Sequence, residues 1–156
     1  MDIYAYIVRD HRKVAGLMDD LLSIRLPAVR ATMFEQIRTE LAIHNAAEER
    51  TFYATLAKAA QDVNLVEKIQ HAAHEHQEVD ELLETLHDTP ISSEFWLEKF
   101  GELKHAVTHH VEQEEGEVFA KARQVLTPEI ATQLAADMDD LKMRIRLDFE
   151  LDIPVA

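Results

Sequence analysis

Apolar residues recur at alternating steps of three and four along most of this 156-residue chain. Such steps place their side chains on one face of an α-helix. The pattern predicts four long amphipathic helices, at about residues 3–24, 30–60, 65–87 and 93–125. A fifth helix is predicted after Thr127, which can cap the helix before Pro128 in its first turn. No stretch alternates with period two for long enough to predict a strand.

Short connections between these segments predict an all-α, antiparallel, up-down-up-down four-helix bundle. We assign the bundle to residues 1–126 and a C-terminal helix to residues 127–156. That helix either packs on the bundle or forms an oligomer contact, and the sequence decides neither this question nor the oligomeric state. With only 3 Gly and 4 Pro, the chain has few residues that interrupt long helices.

Six polar residues fall within the apolar stripes, where buried side chains are expected: His11, His44, Glu48, His76, His110 and Glu114. A carboxylate buried without a partner is strongly destabilising. Two carboxylates and four imidazoles that converge inside one bundle therefore predict a bound cation. A purely structural role, with each group hydrogen-bonded to protein, suits any one histidine but leaves two carboxylates without a counter-charge.

The six residues also form an internal repeat. Each half of the chain supplies one lone histidine and then a His-x-x-x-Glu pair, after nearly the same interval. The four-residue spacing puts the histidine and the glutamate of each pair on one helical face. Two hairpins packed face to face then predict two metal ions, each bound by two histidines and bridged by both carboxylates.

The ligand types restrict the metal. The absence of cysteine excludes thiolate sites and iron–sulfur clusters, and imidazole with carboxylate suits iron, manganese or zinc. Structural zinc prefers a closed set of four ligands. Six residues shared by two ions suit five- or six-coordinate iron better, so two iron ions are predicted, with manganese and zinc as alternatives.

Four elements of the sequence, in this order, resemble the hemerythrin-like, or HHE cation-binding, domains over about residues 3–122: Asp10-His11-Arg-Lys-Val14, His44-x-x-x-Glu48-Glu49, Glu75-His76-Gln-Glu-Val79 and His110-x-x-x-Glu114-Glu115. The resemblance implies an oxo- or hydroxo-bridged diiron centre. It also implies a function among oxygen binding, sensing, and repair of iron centres after nitric oxide or oxidative stress.

The chain departs from the oxygen-carrying hemerythrins, which use five histidines and a His-x-x-x-His pair on the third helix. Here His76 has Ala72 and Asp80 at four residues on either side. The pattern is closer to the four-His, two-Glu members, which resemble stress-response and repair proteins more than carriers.

The leading hypothesis is therefore a soluble diiron protein that binds oxygen, nitric oxide or peroxide at an open iron position, in sensing, stress protection or iron-centre repair. A diiron enzyme that reduces nitric oxide or peroxide is one alternative. An iron-sensing or iron-donating module with a protein or redox partner is another. The sequence identifies neither the physiological ligand nor the choice among carrier, sensor and enzyme.

The other five histidines are not assigned as ligands. His87 and His105 are predicted in solvent. His71, His74 and His109 lie near the proposed ligands in sequence, and three alternatives stay open for them: a contact with a ligand, a surface position, or ligation itself. His109 is an alternative to His110 as the ligand on the fourth helix. The spacing His109-x-x-x-x-Glu114 resembles the His-x-x-x-x-Asp motif that the oxygen carriers use on that helix. Glu49 and Glu115 are expected at the surface or beside the ligands, Glu75 in solvent, and Tyr4, Tyr6 and Tyr53 in the core or at its rim. Of these, Glu75 is a candidate for proton handling at the site entrance.

A ferritin-like diiron site would need two Glu-x-x-His motifs and a glutamate from each of two further helices. Glu84-Thr-Leu-His87 and Glu102-Leu-Lys-His105 match the motif. Glu102 and His105 lie outside the apolar stripe, however, and the first segment contains no glutamate. We therefore reject this arrangement.

The formal net charge of −14 makes nucleic acid and anionic membrane surfaces poor partners. No apolar run reaches the ~18 residues of a membrane-spanning helix. The beginning of the sequence lacks the charged and apolar regions of a signal peptide. A cytoplasmic location is expected.

Overall fold

The computed structural model describes residues 1–151, which are almost entirely helical and contain no strand. This confirms the predicted all-α class. We number five helices: α1 (Ile3–Ser23); α2 (Pro27–Glu48, a π-helical turn at Glu49–Tyr53, then Ala54–Ala59); α3 (Val63–Asp88); α4 (Glu94–Gln113, a π-helical turn at Glu114–Val118, then Phe119–Val125); and α5 (Pro128–Leu151).

The helix starts follow from local side-chain chemistry. Asp2 and Asp62 accept hydrogen bonds from the first-turn backbone of α1 and α3, and Ser93 and Thr127 do the same for α4 and α5. Helix α2 has no such cap. It begins at Pro27 instead of the predicted residue 30, because the fixed φ of proline suits the first helical turn.

Helices α1–α4 form the predicted four-helix bundle, with α1 packed on α2 and α3 on α4. Their buried apolar residues form two clusters. One contains the start of α1 and the ends of α2 and α4, and the other contains the end of α1 and the starts of α2 and α4. On every helix the buried histidines and acids fall between the two clusters. The polar residues therefore form a layer across the middle of the bundle.

Helix α5 lies across α1 and α2. It buries one apolar face: Ala131, Leu134, Ala135 and Met138. Ile130, four residues before Leu134 in the same periodic pattern, is instead 40 % exposed. The division into a bundle and a separate C-terminal helix stays a prediction, and residues 152–156 of that segment lie outside the described residues. Within residues 1–151 no helix is both long enough and apolar enough to cross a membrane.

Candidate metal centre

The structure brings all six predicted ligand residues together in the middle of the bundle. Their ligand atoms form two groups, each of which could hold a metal ion. The first group is His11, His44, Glu48 and Glu114, and the second is His76, His110, Glu48 and Glu114. Both carboxylates belong to both groups, and all six side chains are buried.

The two shared carboxylates each direct one oxygen to each group. Glu48 Oε2 lies 3.1 Å from His44 Nε2, and its Oε1 lies 3.3 Å from His76 Nε2. Glu114 Oε1 lies 3.1 Å from His11 Nε2, and its Oε2 lies 3.3 Å from His110 Nε2. This is the arrangement that two carboxylates need in order to bridge two cations.

The hydrogen bonding of these atoms supports a cation. Within residues 1–151, six buried side-chain polar atoms lack a hydrogen-bond partner, and four of them belong to this cluster: His11 Nε2, Glu48 Oε1, Glu48 Oε2 and Glu114 Oε1. Buried polar groups in native proteins are normally paired. Here the atoms lie close to one another but without hydrogen-bond geometry, so a positive ion between them would satisfy them. The residues present therefore fit a metal centre.

A further carboxylate contacts the outer nitrogen, Nδ1, of every cluster histidine. Asp10 contacts His44 at 2.9 Å, and Glu75 contacts His110 at 2.9 Å. Glu49 and Glu115 make the same contact at 2.7 Å and 2.9 Å, to His76 and His11 respectively. A carboxylate that accepts the Nδ1 proton fixes the ring and leaves Nε2 free to bind a metal.

These four carboxylates follow the internal repeat. Asp10 and Glu75 each precede a lone histidine, whereas Glu49 and Glu115 each follow a bridging glutamate. Each contact also connects different helices, for example Asp10 on α1 with His44 on α2. Sequence reasoning gave none of the four this role firmly, although their repeated positions beside the ligands were a signal.

The acidic surroundings favour protonated histidines. Burial lowers the pKa of His44, but the charge of Glu48 and the contact with Asp10 outweigh it and raise the pKa to about 10. Burial is likewise outweighed at His76, whose pKa rises to about 10, and at His110, whose pKa rises to about 9. Metal ligation requires neutral imidazole, so a bound cation would take the place of these protons.

Both π-helical turns occur at the two shared glutamates. One directly follows Glu48, and the other begins at Glu114. A π-helical turn brings residue i+5 above residue i, and such turns often occur at functional sites. They place Tyr53 and Phe119, five residues beyond the two glutamates, in equivalent positions.

Tyr53 breaks the symmetry between the halves, because Phe119 has no hydroxyl. The Tyr53 hydroxyl donates a hydrogen bond of 2.5 Å to Glu114 Oε2. Burial, and then the charge of Glu114, raise the pKa of Tyr53 well above its usual value. Sequence analysis placed Tyr53 in the core or at its rim and missed this contact.

The remaining histidines lie outside the cluster. His109 has a half-exposed side chain (53 %), whereas His110 on the same helix is 8 % exposed and belongs to the second group. His71 and His74 are also exposed and face carboxylates of their own helix, Glu75 and Glu78. His87 and His105 are exposed as well.

Two of the cavities each touch two or more of the six ligand residues. The larger, about 220 Å³, lies between α3 and α4 and extends from the exposed Glu117 and His71 to His110 and Glu114. The smaller, about 20 Å³, touches all four cluster histidines and is otherwise lined mainly by apolar side chains: Leu41, Val79, Val107 and Val111. The cluster therefore has an acidic, solvent-facing side and a small apolar side.

The arrangement agrees with a comparison against protein families. The chain matches the family model of the hemerythrin HHE cation-binding domain over residues 2–122. The chain belongs to this family. The match confirms the predicted family, and cation binding is the property for which that family is named. It covers α1 to α4 and ends before α5, so α5 lies outside the region by which this family is recognised.

Two similar proteins are informative. A DNA nickase from Nostoc sp. (strain PCC 7120) is 29 % identical over 146 residues, which cover 94 % of this chain but 40 % of the nickase. The chain thus spans two fifths of that relative's length. A crystal structure of a hemerythrin HHE cation-binding domain-containing protein from Mycobacterium kansasii has a TM-score of 0.79, 22 % identity, and coverage of 97 % of this chain and 94 % of that one. It shows the same fold.

Proposed function

We propose that this protein is a non-haem diiron protein that binds oxygen, nitric oxide or peroxide, in sensing, stress protection or iron-centre repair. The ligands are the six cluster residues, His11, His44, Glu48, His76, His110 and Glu114. The observation that carries the proposal is the division of each bridging carboxylate between two histidine pairs. A site for one ion has no need of this division, and a site for two ions does.

Ligand chemistry supports iron. Each ion would be held by two imidazole nitrogens and two carboxylate oxygens of the protein. Iron suits five or six ligands, so an ion held by these four would have room for solvent and for an external ligand. Iron supplies redox chemistry and ligand binding there, and the protein supplies the shape of the space beside it.

The small cavity supports a small ligand. Its volume of about 20 Å³ holds roughly one water-sized molecule. Apart from the histidines and Asn45, its wall is apolar, with Val79 and Val107 among the lining residues, so it suits a small uncharged molecule. Oxygen and nitric oxide fit this space and its polarity, and peroxide fits its size.

One observation favours the enzymatic alternative, reduction of nitric oxide or peroxide. Such reactions consume protons, and Tyr53 carries one on a hydroxyl whose oxygen lies 2.5 Å from Glu114 Oε2. Glu75 lies on the wall of the larger cavity and contacts His110, so it can exchange a proton with solvent close to the site. The DNA nicking named for the Nostoc relative is no part of the proposal, because a chain of net charge −14 repels a phosphate backbone.

The direct test of the metal assignment is stoichiometry. Protein purified from iron-rich medium should contain about two iron ions per chain, the number that two ligand groups with shared carboxylates imply. Metal analysis by mass spectrometry, together with competition against zinc and manganese, measures this. A consistent value near one ion per chain, with zinc preferred, would contradict the diiron proposal.

A second test separates a carrier from a reactive centre. With two histidines for each ion, neither iron is saturated by protein ligands, which favours paired ligand binding and electron transfer. We expect the reduced protein to oxidise rapidly in air without a long-lived oxygen adduct, and to bind nitric oxide at more than one iron. Stopped-flow visible absorption and electron paramagnetic resonance follow both reactions. A stable oxygenated form, regenerated over repeated cycles, would restore the carrier function.

A further inference from the structure

One residue outside the family domain contacts the surroundings of the metal centre. Lys142, on α5, places its ammonium 2.7 Å from both carboxylate oxygens of Asp10. Asp10 in turn contacts Nδ1 of His44 at 2.9 Å. Asp10 is 7 % exposed and the side chain of Lys142 is 15 % exposed, so water competes little for this ion pair.

The other three histidines have no equivalent of Lys142. Glu49 and Glu115, which contact His76 and His11, have partly exposed side chains. Glu75, which contacts His110, faces two exposed histidines. In the described part of the chain no lysine or arginine forms an ion pair with any of these three carboxylates. Within residues 1–151, only the Asp10–His44 contact is reinforced by a lysine or arginine.

Helix α5 has anchors besides Lys142. It buries Met138 and Leu134 against the bundle. Tyr6 donates a hydrogen bond of 2.8 Å to Asp139, and Arg146 lies 3.0 Å from Glu40. The docking of α5 is therefore shared among several contacts, and the Lys142 contact can be tested separately from it.

We propose that Lys142 is a positioning residue for one of the two metal ions: it holds Asp10, Asp10 holds His44, and the His11–His44 ligand group consequently keeps its ion longer than the His76–His110 group. A supporting residue that orients a histidine ligand typically contributes 10–100-fold to metal affinity. Lys142 acts on His44 only through Asp10, so we expect its effect on metal affinity near tenfold, the lower limit of this range. The inference rests on the proposed diiron function.

The test is iron release from the loaded, full-length protein to an excess of chelator under reducing conditions. In the wild-type protein the two ions should leave at different rates, with the slower phase from the His11–His44 group. In Lys142→Gln the slow phase should become about tenfold faster while the fast phase is unchanged. Lys142→Arg, which keeps the charge, should restore most of the wild-type rate.

Two variants separate positioning from docking. Arg146→Gln removes an ion pair of α5 that touches no ligand, and it should leave both phases unchanged. In the background of Asp10→Asn, Lys142→Gln should add no further acceleration, because the group it holds is already altered. This comparison stays valid even if Lys142→Gln alone loosens α5, which circular dichroism and hydrogen exchange would reveal.

The outcomes are distinguishable. Two iron ions per wild-type chain with equal release from the wild type and Lys142→Gln would overturn this inference and leave the proposed function standing. Equal acceleration by Arg146→Gln and Lys142→Gln would also overturn it, because docking alone would then explain the effect. Failure of the wild type to hold two ions would instead contradict the proposed function.

Discussion

At the residue scale, each cluster histidine lies between two acids, one at each ring nitrogen. His76 shows the arrangement, with Glu49 at Nδ1 and Glu48 near Nε2. Sequence could predict the inner acids because they interrupt an apolar stripe, where a buried charge needs an explanation. It could not assign the outer ones, because adjacent residues of a helix point about 100° apart and only tertiary packing determines which helix they face.

The neighbours His109 and His110 provide a matched pair of variants for the ligand assignment. His110→Ala should lower the iron content from about two ions to one or fewer. It should also destabilise the fold by about 3–5 kcal/mol, because Glu114 and Glu75 lose a buried partner. His109→Ala removes a half-exposed ring and should change neither value. Metal analysis and urea unfolding measure the effects, and the reverse pattern would show that His109 is the ligand.

At the element scale, the spacing of apolar residues predicted every helix and nearly every boundary. The π-helical turns were not predicted, because a period of 3.6 residues hides one inserted residue. A trace of them exists in the consecutive steps of four, from His44 to Glu48 to Phe52 and from His110 to Glu114 to Val118. Each turn starts at or just after one of the two shared glutamates. The inserted residue rotates Tyr53 towards the cluster, whereas regular α-helical spacing would place it on another face of the helix.

Two smaller differences show how packing modifies a periodic pattern. The apolar pattern of α3 continues from Ile69 to Ala73 at a step of four, but Ala72 is buried there and Ala73 is exposed. On α5, Ala131 is buried in place of Ile130. A stripe defines a face only to within about one residue, and the neighbouring helices decide which residue is covered. The position of α5 across α1 and α2, and with it the role of Lys142, likewise needed the structure.

At the scale of the whole molecule, the bundle holds a layer of charge between two apolar clusters. The four cluster histidines, the two bridging glutamates and the outer acids all belong to this layer. Such a layer is destabilising unless its charges are balanced. Protons on the histidines and metal ions are alternative ways to balance the same carboxylates, so the two must compete.

This competition predicts opposite pH dependences for the metal-free and the iron-loaded protein. The pKa values of His44, His76 and His110 rise from 6.5 to about 9–10. Because the folded-state values lie above the unfolded ones, this stabilisation is complete below about pH 6.5 and is lost as pH rises through 9–10. Metal-free protein should therefore become easier to unfold in urea between pH 7 and pH 10.

Over the same interval iron affinity should rise, because fewer protons must leave the histidines when iron binds. At pH 7.5, iron binding should therefore release protons from these histidines, which calorimetry in buffers of different ionisation enthalpy measures. Iron binding without proton release would show that the histidines are neutral before the metal arrives, and that contacts other than protonation balance the charged layer.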